Sequence, residues 1–182
     1  MTAPSLMFEH GLDIAKGWFE PAALDFAAKL SENVTFEVPR GRVVHVNNQN
    51  EFEMGVAGTQ MGIFTLNGSE DFDVSNPGTT PAGNFMHQAI APTGVMSGLV
   101  ANGAYEIEST EFDDTQTYQA NELLTATADN TTLATGGVLT NVGAVQYVNP
   151  ICGVVSRGRF VNAHGVPVLA FWPEWLPAEV AP

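Results

Sequence analysis

The sequence is short of positive charge and of charge in general. Six of its 182 residues are Lys or Arg against twenty Asp and Glu, which gives a net charge of −14. Charged residues make up 14% of the chain, well below the roughly one quarter typical of soluble domains. Such a chain repels nucleic acid and anionic membranes, which argues against both as partners. With 45% hydrophobic residues, it also argues against disorder and favours some weakly polar surface that meets another protein.

Cysteine and long apolar runs are also scarce. The single cysteine, Cys152, excludes an internal disulfide, and its apolar neighbours indicate a small buried residue rather than a nucleophile. No apolar run approaches the length that spans a bilayer. The first residues lack a basic start followed by an apolar run, so we expect no signal peptide and folding in a reducing cytoplasm.

Motifs for catalysis, metals and cofactors are missing. No two histidines have metal-ligand spacing, and the glycines form neither a G-x-S-x-G elbow, a phosphate loop nor a dinucleotide turn. Each histidine is interpreted as a hydrogen-bonded surface or turn residue; they are His10, His45, His87 and His164. We therefore expect no cofactor, no metal and no enzyme activity.

Carboxylates occur in two clusters. One contains Glu70, Asp71 and Asp73, and the other, named here the acidic segment, is Glu106–Asp114 with the sequence EIESTEFDD. Neither matches a twelve-residue calcium-binding loop, so we interpret both as solvated faces. Spacing alone leaves open a carboxylate pair for glycoside hydrolysis.

The N-terminal part predicts an arm followed by a helix. Residues 1–18 are weakly patterned, and the Leu6–Met7–Phe8 cluster either docks on a neighbour or packs on its own domain. Residues 19–30 place Phe19, Ala23, Phe26 and Leu30 on one stripe at helical spacing. Pro21 suits the first turn of a helix, so we expect a short α-helix packed on a sheet.

The rest of the chain predicts β structure. Apolar residues alternate in residues 34–46 and 52–56, residues 61–66 read as a further strand, and Asn67–Gly68 is a hairpin signal. Residues 76–83 are a loop at which a domain spanning residues 19–182 would divide into two subdomains. The uncharged stretch that follows, to residue 105, fits either core or an oligomer interface.

The last third alternates short apolar runs with turn residues. Residues 118–177 are rich in Val, Thr and aromatics and are bounded by Gly, Asn and Pro, as in a small all-β module. Trp172 and Trp175 lie between Pro173 and Pro177, which we expect to prevent both helix and regular strand. The two tryptophans either clamp the end of the domain or anchor a neighbour.

Two Arg-Gly-Arg triplets hold four of the six cations. They occupy residues 40–42 and 157–159, each at a β-like run. They indicate either a weak internal duplication or two strands that pair and share a cationic spot. Their arginines either pair with Glu and Asp of the same chain or dock on an acidic partner.

The C-terminal third resembles the tailed-phage capsid decoration, or cement, proteins with a β-tulip-like fold. The resembling segments, all between residues 118 and 172, are YQANELLTA, LATGGVLTNVGA and ICGVVSRGRF. The resemblance implies a non-enzymatic protein that binds the outside of a capsid, commonly as a trimer. It would bridge neighbouring major capsid subunits there. The long N-terminal half departs from that family.

Taken together, these patterns predict a mainly β protein, a compact barrel or sandwich with one short N-terminal helix. We expect a virion decoration protein on the capsid exterior whose partners are the major capsid protein and copies of itself, a homotrimer ahead of a homodimer. The alternatives are a head-fibre base or tail protein, and a carbohydrate-binding or hydrolytic β-sandwich. The predicted partner-binding residues are Leu6, Met7, Phe8, Arg157, Arg159, Trp172 and Trp175.

Overall fold

The computed structural model describes residues 12–17, 24–58, 60–65, 95–100, 105–146, 148–163 and 165–178. Within these ranges the chain forms eleven strands and no α-helix. The strands are β1 (Leu12–Gly17), β2 (Leu24–Leu30), β3 (Val43–Val46), β4 (Glu51–Met54), β5 (Ile63–Thr65), β6 (Val95–Val100), β7 (Tyr105–Ser109), β8 (Leu123–Ala126), β9 (Leu139–Thr140), β10 (Ile151–Val161) and β11 (Pro167–Leu176). The prediction of a mainly β fold is confirmed. No described segment is a helix of the length and apolar character that crossing a bilayer requires.

The strands divide between a closed barrel and an open sheet. The barrel has five strands in the order β2-β4-β3-β5-β6, and the open sheet has six in the order β1-β7-β11-β10-β8-β9. β2 and β4 are parallel, whereas the other pairings between these strands are antiparallel. The long hairpin of β10 and β11 forms the middle of the open sheet.

The turn between β3 and β4 follows from its asparagines. The side-chain Oδ1 of Asn47 accepts hydrogen bonds from the backbone N–H groups of Gln49 and Glu51, both at 2.9 Å. Asn50 adopts a φ of 60°, a conformation that Asn tolerates better than most residues. Residues 47–50 therefore form a tight turn.

Strands β3 and β5 are buried on both faces, and this joins the two sheets. Val44 and Ile63 belong to a core cluster built from the barrel side. Their neighbours Val43 and Phe64 belong to a second cluster that includes the open sheet. The Phe64 ring lies 5.4 Å from the ring of Phe171 in β11, between centroids. Because successive residues of a strand point to opposite faces, β3 and β5 contribute to both clusters at once.

Backbone hydrogen bonds also cross between the barrel and the open sheet. The N–H of Val43 donates to the carbonyl of Gly137 at 2.9 Å, and the N–H of Val56 donates to that of Ala126 at 3.2 Å. Gly55 has a φ of 73°, and a Cβ there would lie 2.2 Å from the carbonyl oxygen of Thr127. The close approach of the two chains at this point therefore requires glycine.

The predicted N-terminal helix is wrong for the part that the structure describes. Residues 24–30 form β2, which pairs with β6 from Leu24↔Val100 to Lys29↔Val95. The segment alternates Leu24, Phe26, Ala28 and Leu30 with other residues, so it satisfies a period of two as well as the helical spacing. Pairing on both sides in a closed barrel outweighs the modest helix propensity of its alanines.

Two further strand predictions need correction. Pro173 lies inside β11 and pairs with Gly153, beside a register shift between Ile151 and Gly153, so proline did not end the strand. A bulge is a position where a sheet tolerates the missing N–H of proline. Residues 34–42 lie outside any strand, although Val34, Phe36 and Val38 still pack in or against the barrel cluster.

Several predictions fall outside the described residues. These are the Leu6–Met7–Phe8 cluster, the Asn67–Gly68 hairpin and the loop at residues 76–83. Within the segment predicted as an N-terminal arm, β1 pairs antiparallel with β7 at the edge of the open sheet.

Candidate functional site

A cavity of about 640 Å³, named here the seam cavity, lies where the acidic segment faces the loop between β8 and β9. The barrel contributes Arg42, which immediately precedes β3. The lining residues are Arg42, Thr110, Glu111, Phe112, Asp113, Asp114, Thr115, Gln116, Thr127, Ala134, Thr135, Val138, Thr140 and Val142. The volume falls within the range of small-molecule sites, roughly 300–1,000 Å³.

A buried ion pair forms one wall of the seam cavity. Arg42 Nε lies 2.5 Å from Glu111 Oε2, and the two side chains are 7% and 4% exposed. Arg42 Nη1 donates to the carbonyl of Gly136 at 2.8 Å, and Thr110 Oγ1 donates to the other carboxylate oxygen of Glu111 at 3.1 Å. Both charges are therefore paired and hydrogen-bonded, which is the condition under which buried charges are tolerated.

The acidic side of the cavity is organised by Asp113. Its Oδ1 accepts hydrogen bonds from the Oγ1 and the N–H of Thr115, at 2.6 and 3.0 Å. The hydroxyl of Thr115, more than any other group, lowers the pKa of Asp113 below its usual value. Asp113 is therefore a carboxylate at neutral pH, and the exposed Asp114 adjoins it.

Tyr118 contacts the loop that carries Asp113 through both its hydroxyl and its ring. Its hydroxyl donates to the carbonyl of Asp113 at 2.8 Å, and its ring packs edge-on against Phe112 with centroids 5.8 Å apart. Burial, and then the charge of Asp113, raise the pKa of Tyr118 well above its usual value. The phenol thus remains a neutral hydrogen-bond donor.

The acidic segment is contacted by the triplet arginines Arg42, Arg157 and Arg159. Arg42 binds Glu111, as described, and Arg157 Nη2 lies 2.5 Å from Glu106 Oε1 and 2.9 Å from Glu108 Oε1. Arg159 Nη1 donates to the backbone carbonyl of Asp114 at 2.9 Å, with its guanidinium 5.6 Å from the Phe112 ring centroid. Pairing of the triplet arginines within the chain is thereby confirmed for Arg42 and Arg157.

The two triplets do not lie on paired strands. Residues 40–42 precede β3 of the barrel, whereas Arg157 and Arg159 lie within β10 of the open sheet. The interpretation of two pairing strands is therefore wrong.

The acidic segment is not a solvated face, contrary to the prediction. Glu106 and Glu111 are buried, at 2% and 5% exposure, and both are in ion pairs with arginine. Burial of these carboxylates is sustained because the cations reach them from distant parts of the sequence. The other cluster, at Glu70, Asp71 and Asp73, lies outside the described residues.

The remaining predicted residues have mostly structural surroundings. Cys152 is buried, and burial raises the pKa of its thiol to about 12, which agrees with the apolar interpretation. His45 is buried with Nδ1 3.1 Å from the carbonyl of Gly55, and the other three histidines lie outside the described residues. Trp172 is half-buried opposite Val154, and Trp175 packs against the larger core cluster. In the described ranges, no group of three or more His, Cys, Asp or Glu residues is arranged to hold a metal ion.

An exposed apolar feature escaped prediction from the sequence. Residues 141–149 between β9 and β10, named here the valine loop, expose Val142, Val145 and Val148 by 59%, 54% and 66%. Local hydrogen bonds fix the loop, among them Val148 N–H and Asn149 N–H to the carbonyl of Val145, both at 3.1 Å. The available signal was the spacing of valines at every third residue inside a stretch without charge from residue 130 to residue 156.

Comparisons of the chain with models of known protein families, with curated proteins and with solved structures found no match.

Proposed function

We propose that this chain is a structural, non-enzymatic virion protein: a decoration, or cement, protein of a tailed-phage capsid. In this proposal residues 118–172 form a β-tulip-like module. The protein is made in the host cytoplasm and binds the outer surface of the major capsid lattice as a homo-oligomer, a trimer rather than a dimer. Its task is to bridge neighbouring capsid subunits and so to stabilise the shell.

The observation that supports the proposal best is the valine loop. Three valines in one short loop are more than half exposed, and no charged residue lies in the loop. Isolated exposed apolar residues are ordinary on a protein surface, but a cluster on a fixed loop is typical of a contact with another protein. The loop joins β9 and β10 of the open sheet, so a rigid scaffold carries it.

The energetics favour a lattice over a single partner. Burying an exposed valine side chain is worth roughly 1.5–3 kcal/mol at most, and three of them make a weak contact once the cost of association is subtracted. A symmetric oligomer repeats the contact on several subunits and gains affinity through effective concentration. A net charge of −14 further favours a partner surface that is not itself acidic.

The other predicted contacts fit this proposal to different degrees. Arg157 keeps a side chain 41% exposed beside its two carboxylates, so its outer face remains available to a partner. Arg159 is exposed as well, whereas Trp175 is engaged with the core cluster. Leu6, Met7 and Phe8 remain predicted contacts outside the described residues.

The test is shell binding by a triple variant, Val142→Ser, Val145→Ser and Val148→Ser. The purified chain is first sized by light scattering, then mixed with shells that lack it, and bound protein is measured by co-sedimentation. We expect the wild type to form a trimer, to saturate shells at a fixed ratio and to raise their melting temperature. The triple variant should bind at least tenfold more weakly, because three apolar contacts are lost.

A matched control replaces three apolar residues exposed elsewhere, Met61→Ser, Leu133→Ser and Val161→Ser. The control should bind like the wild type. If only the control variant loses binding, the contact surface lies away from the valine loop. A wild-type chain that is monomeric and ignores shells would overturn the proposed function itself.

A further inference from the structure

The seam cavity has a mixed chemistry that the proposed shell contact does not use. One part of its lining is apolar, from Phe112, Ala134 and Val138, and another part carries hydroxyl, carboxylate and guanidinium groups. Sites with an apolar lining and a few placed polar groups are the usual binding sites for small molecules.

Arg42 lines this cavity, and its side chain is buried. Its Nε and Nη1 are taken by Glu111 and the carbonyl of Gly136. The third nitrogen, Nη2, makes no hydrogen bond to the part of the chain that the structure describes. A guanidinium nitrogen of a side chain 93% removed from solvent is thus left to an acceptor on a ligand.

The lining also carries acceptors for a ligand. Asp114 is exposed, and both hydrogen bonds from Thr115 go to Oδ1 of Asp113 rather than to its second carboxylate oxygen. Thr135 Oγ1 donates its proton to Asp129 at 2.7 Å and therefore retains lone pairs that can accept a hydrogen bond. A ligand with both donors and acceptors would form hydrogen bonds with Arg42 and with these acceptors.

The balance of charge narrows the ligand class. Glu111, Asp113 and Asp114 outnumber the single Arg42, so an anionic ligand is repelled. A purely cationic ligand, such as a polyamine, has no lone pair with which to accept a hydrogen bond from Nη2 of Arg42. A neutral ligand whose C–H faces cover the apolar lining and whose hydroxyls both donate and accept meets neither obstacle.

We propose that the seam cavity binds a neutral polyhydroxylated ligand, namely a short oligosaccharide. The inference does not rest on the proposed attachment to a shell, although Val142 belongs to both the valine loop and the cavity lining.

The experiment uses the full-length purified chain and saturation-transfer NMR. The probes are maltotriose, cellotriose and triacetylchitotriose, with glucuronate as the anionic and spermidine as the cationic comparison. At least one neutral trisaccharide should bind saturably, and neither charged compound should compete with it. Asp114→Ala should weaken that binding about tenfold, as expected for the loss of one hydrogen bond to a charged group.

Two further variants keep the result interpretable. Thr135→Val removes a hydroxyl with little change of shape and should weaken binding roughly threefold, as expected for one neutral hydrogen bond. Glu174→Ala makes the same charge change as Asp114→Ala at an exposed residue that does not line the cavity, and it should bind like the wild type. The proposal fails if no neutral probe binds, if spermidine displaces the sugar, or if Asp114→Ala and Glu174→Ala behave alike.

Discussion

The two Arg-Gly-Arg triplets have the same sequence and different surroundings. Arg42 is buried against Glu111 at the seam between the barrel and the open sheet, with both side chains less than a tenth exposed. Arg157 is 41% exposed and lies across Glu106 and Glu108 on the surface of the open sheet. Both triplets nevertheless contact the acidic segment. An identical short motif can therefore supply a buried link at one place and a surface clamp at another.

The largest expected effect comes from breaking the buried pair. Arg42→Met should lower the free energy of unfolding by about 3–5 kcal/mol, because Glu111 is left as a buried charge without its cation. Urea denaturation followed by tryptophan fluorescence measures the loss.

Two further variants test whether the loss of stability in Arg42→Met comes from the buried charge of Glu111. Arg157→Met should cost less, about 1–3 kcal/mol: its guanidinium is partly screened by solvent, but its loss takes one cation away from the buried Glu106. Adding Glu111→Leu to Arg42→Met should recover most of the loss, since replacing a buried pair by apolar residues is often close to neutral. Equal losses for Arg42→Met and Arg157→Met would remove the distinction between the two triplets.

A smaller effect is expected from the central glycines. Gly41 and Gly158 have φ of 92° and 77°, and a Cβ on Gly158 would also lie 2.8 Å from the carbonyl oxygen of Tyr118. The left-handed backbone should therefore cost about 1–2 kcal/mol in either Gly41→Ala or Gly158→Ala. Gly158→Ala should cost roughly 1 kcal/mol more, because the backbone contact adds to the strain.

Thermal and urea unfolding of both glycine variants measure this difference. A loss for Gly158→Ala no larger than about 1–2 kcal/mol, the cost of the left-handed backbone, would mean that the contact with Tyr118 adds nothing.

The smallest effect concerns the stability of the fold in acid. It depends on Asp113, which lies in the sequence between Glu111, the partner of Arg42, and Asp114, the partner of Arg159. The pKa of Asp113 is lowered in the folded state, so the unfolded chain binds its proton first as the pH falls. The stabilisation from this group is present above the unfolded value near 3.8 and is lost as the pH falls through the folded pKa.

Asp113→Asn should therefore flatten the acid limb of stability against pH. Thr115→Val should have part of the same effect, because the Thr115 hydroxyl is the main cause of the shift. Denaturation midpoints at a series of acidic pH values measure it. An acid limb unchanged in both variants would mean that Asp113 does not titrate as its hydrogen bonds indicate.

The fold class was predictable because it depends on the local pattern of apolar and turn residues. Alternation in β4 and short apolar runs around turn residues in the last third appear directly in the sequence. The same reasoning wrongly predicted a helix for residues 24–30, because Phe26 and Leu30 fit both a helical stripe and an alternating strand. Closure of the barrel, which involves residues far apart in sequence, decides between the two.

The candidate site was much less predictable. Arg42 and Glu111 are 69 residues apart, and no local signal tells which of the many carboxylates meets which of the few cations. The seam cavity is made by loops that become neighbours through the sheet order. The valine loop carried a signal in its spacing, but exposure depends on what packs against it in three dimensions.

Burial of β3 on both faces has a consequence for strand register. When one face of a strand is wet, a slip by one residue is penalised because apolar side chains move into water. Val43 and Val44 would simply exchange clusters, so the valines alone specify the register weakly. The residues at the two ends carry that information instead: a slip would turn Arg42 toward the barrel cluster and break its pair with Glu111. The buried Arg42 thus fixes the register of β3, the strand that contributes to the cores of both sheets.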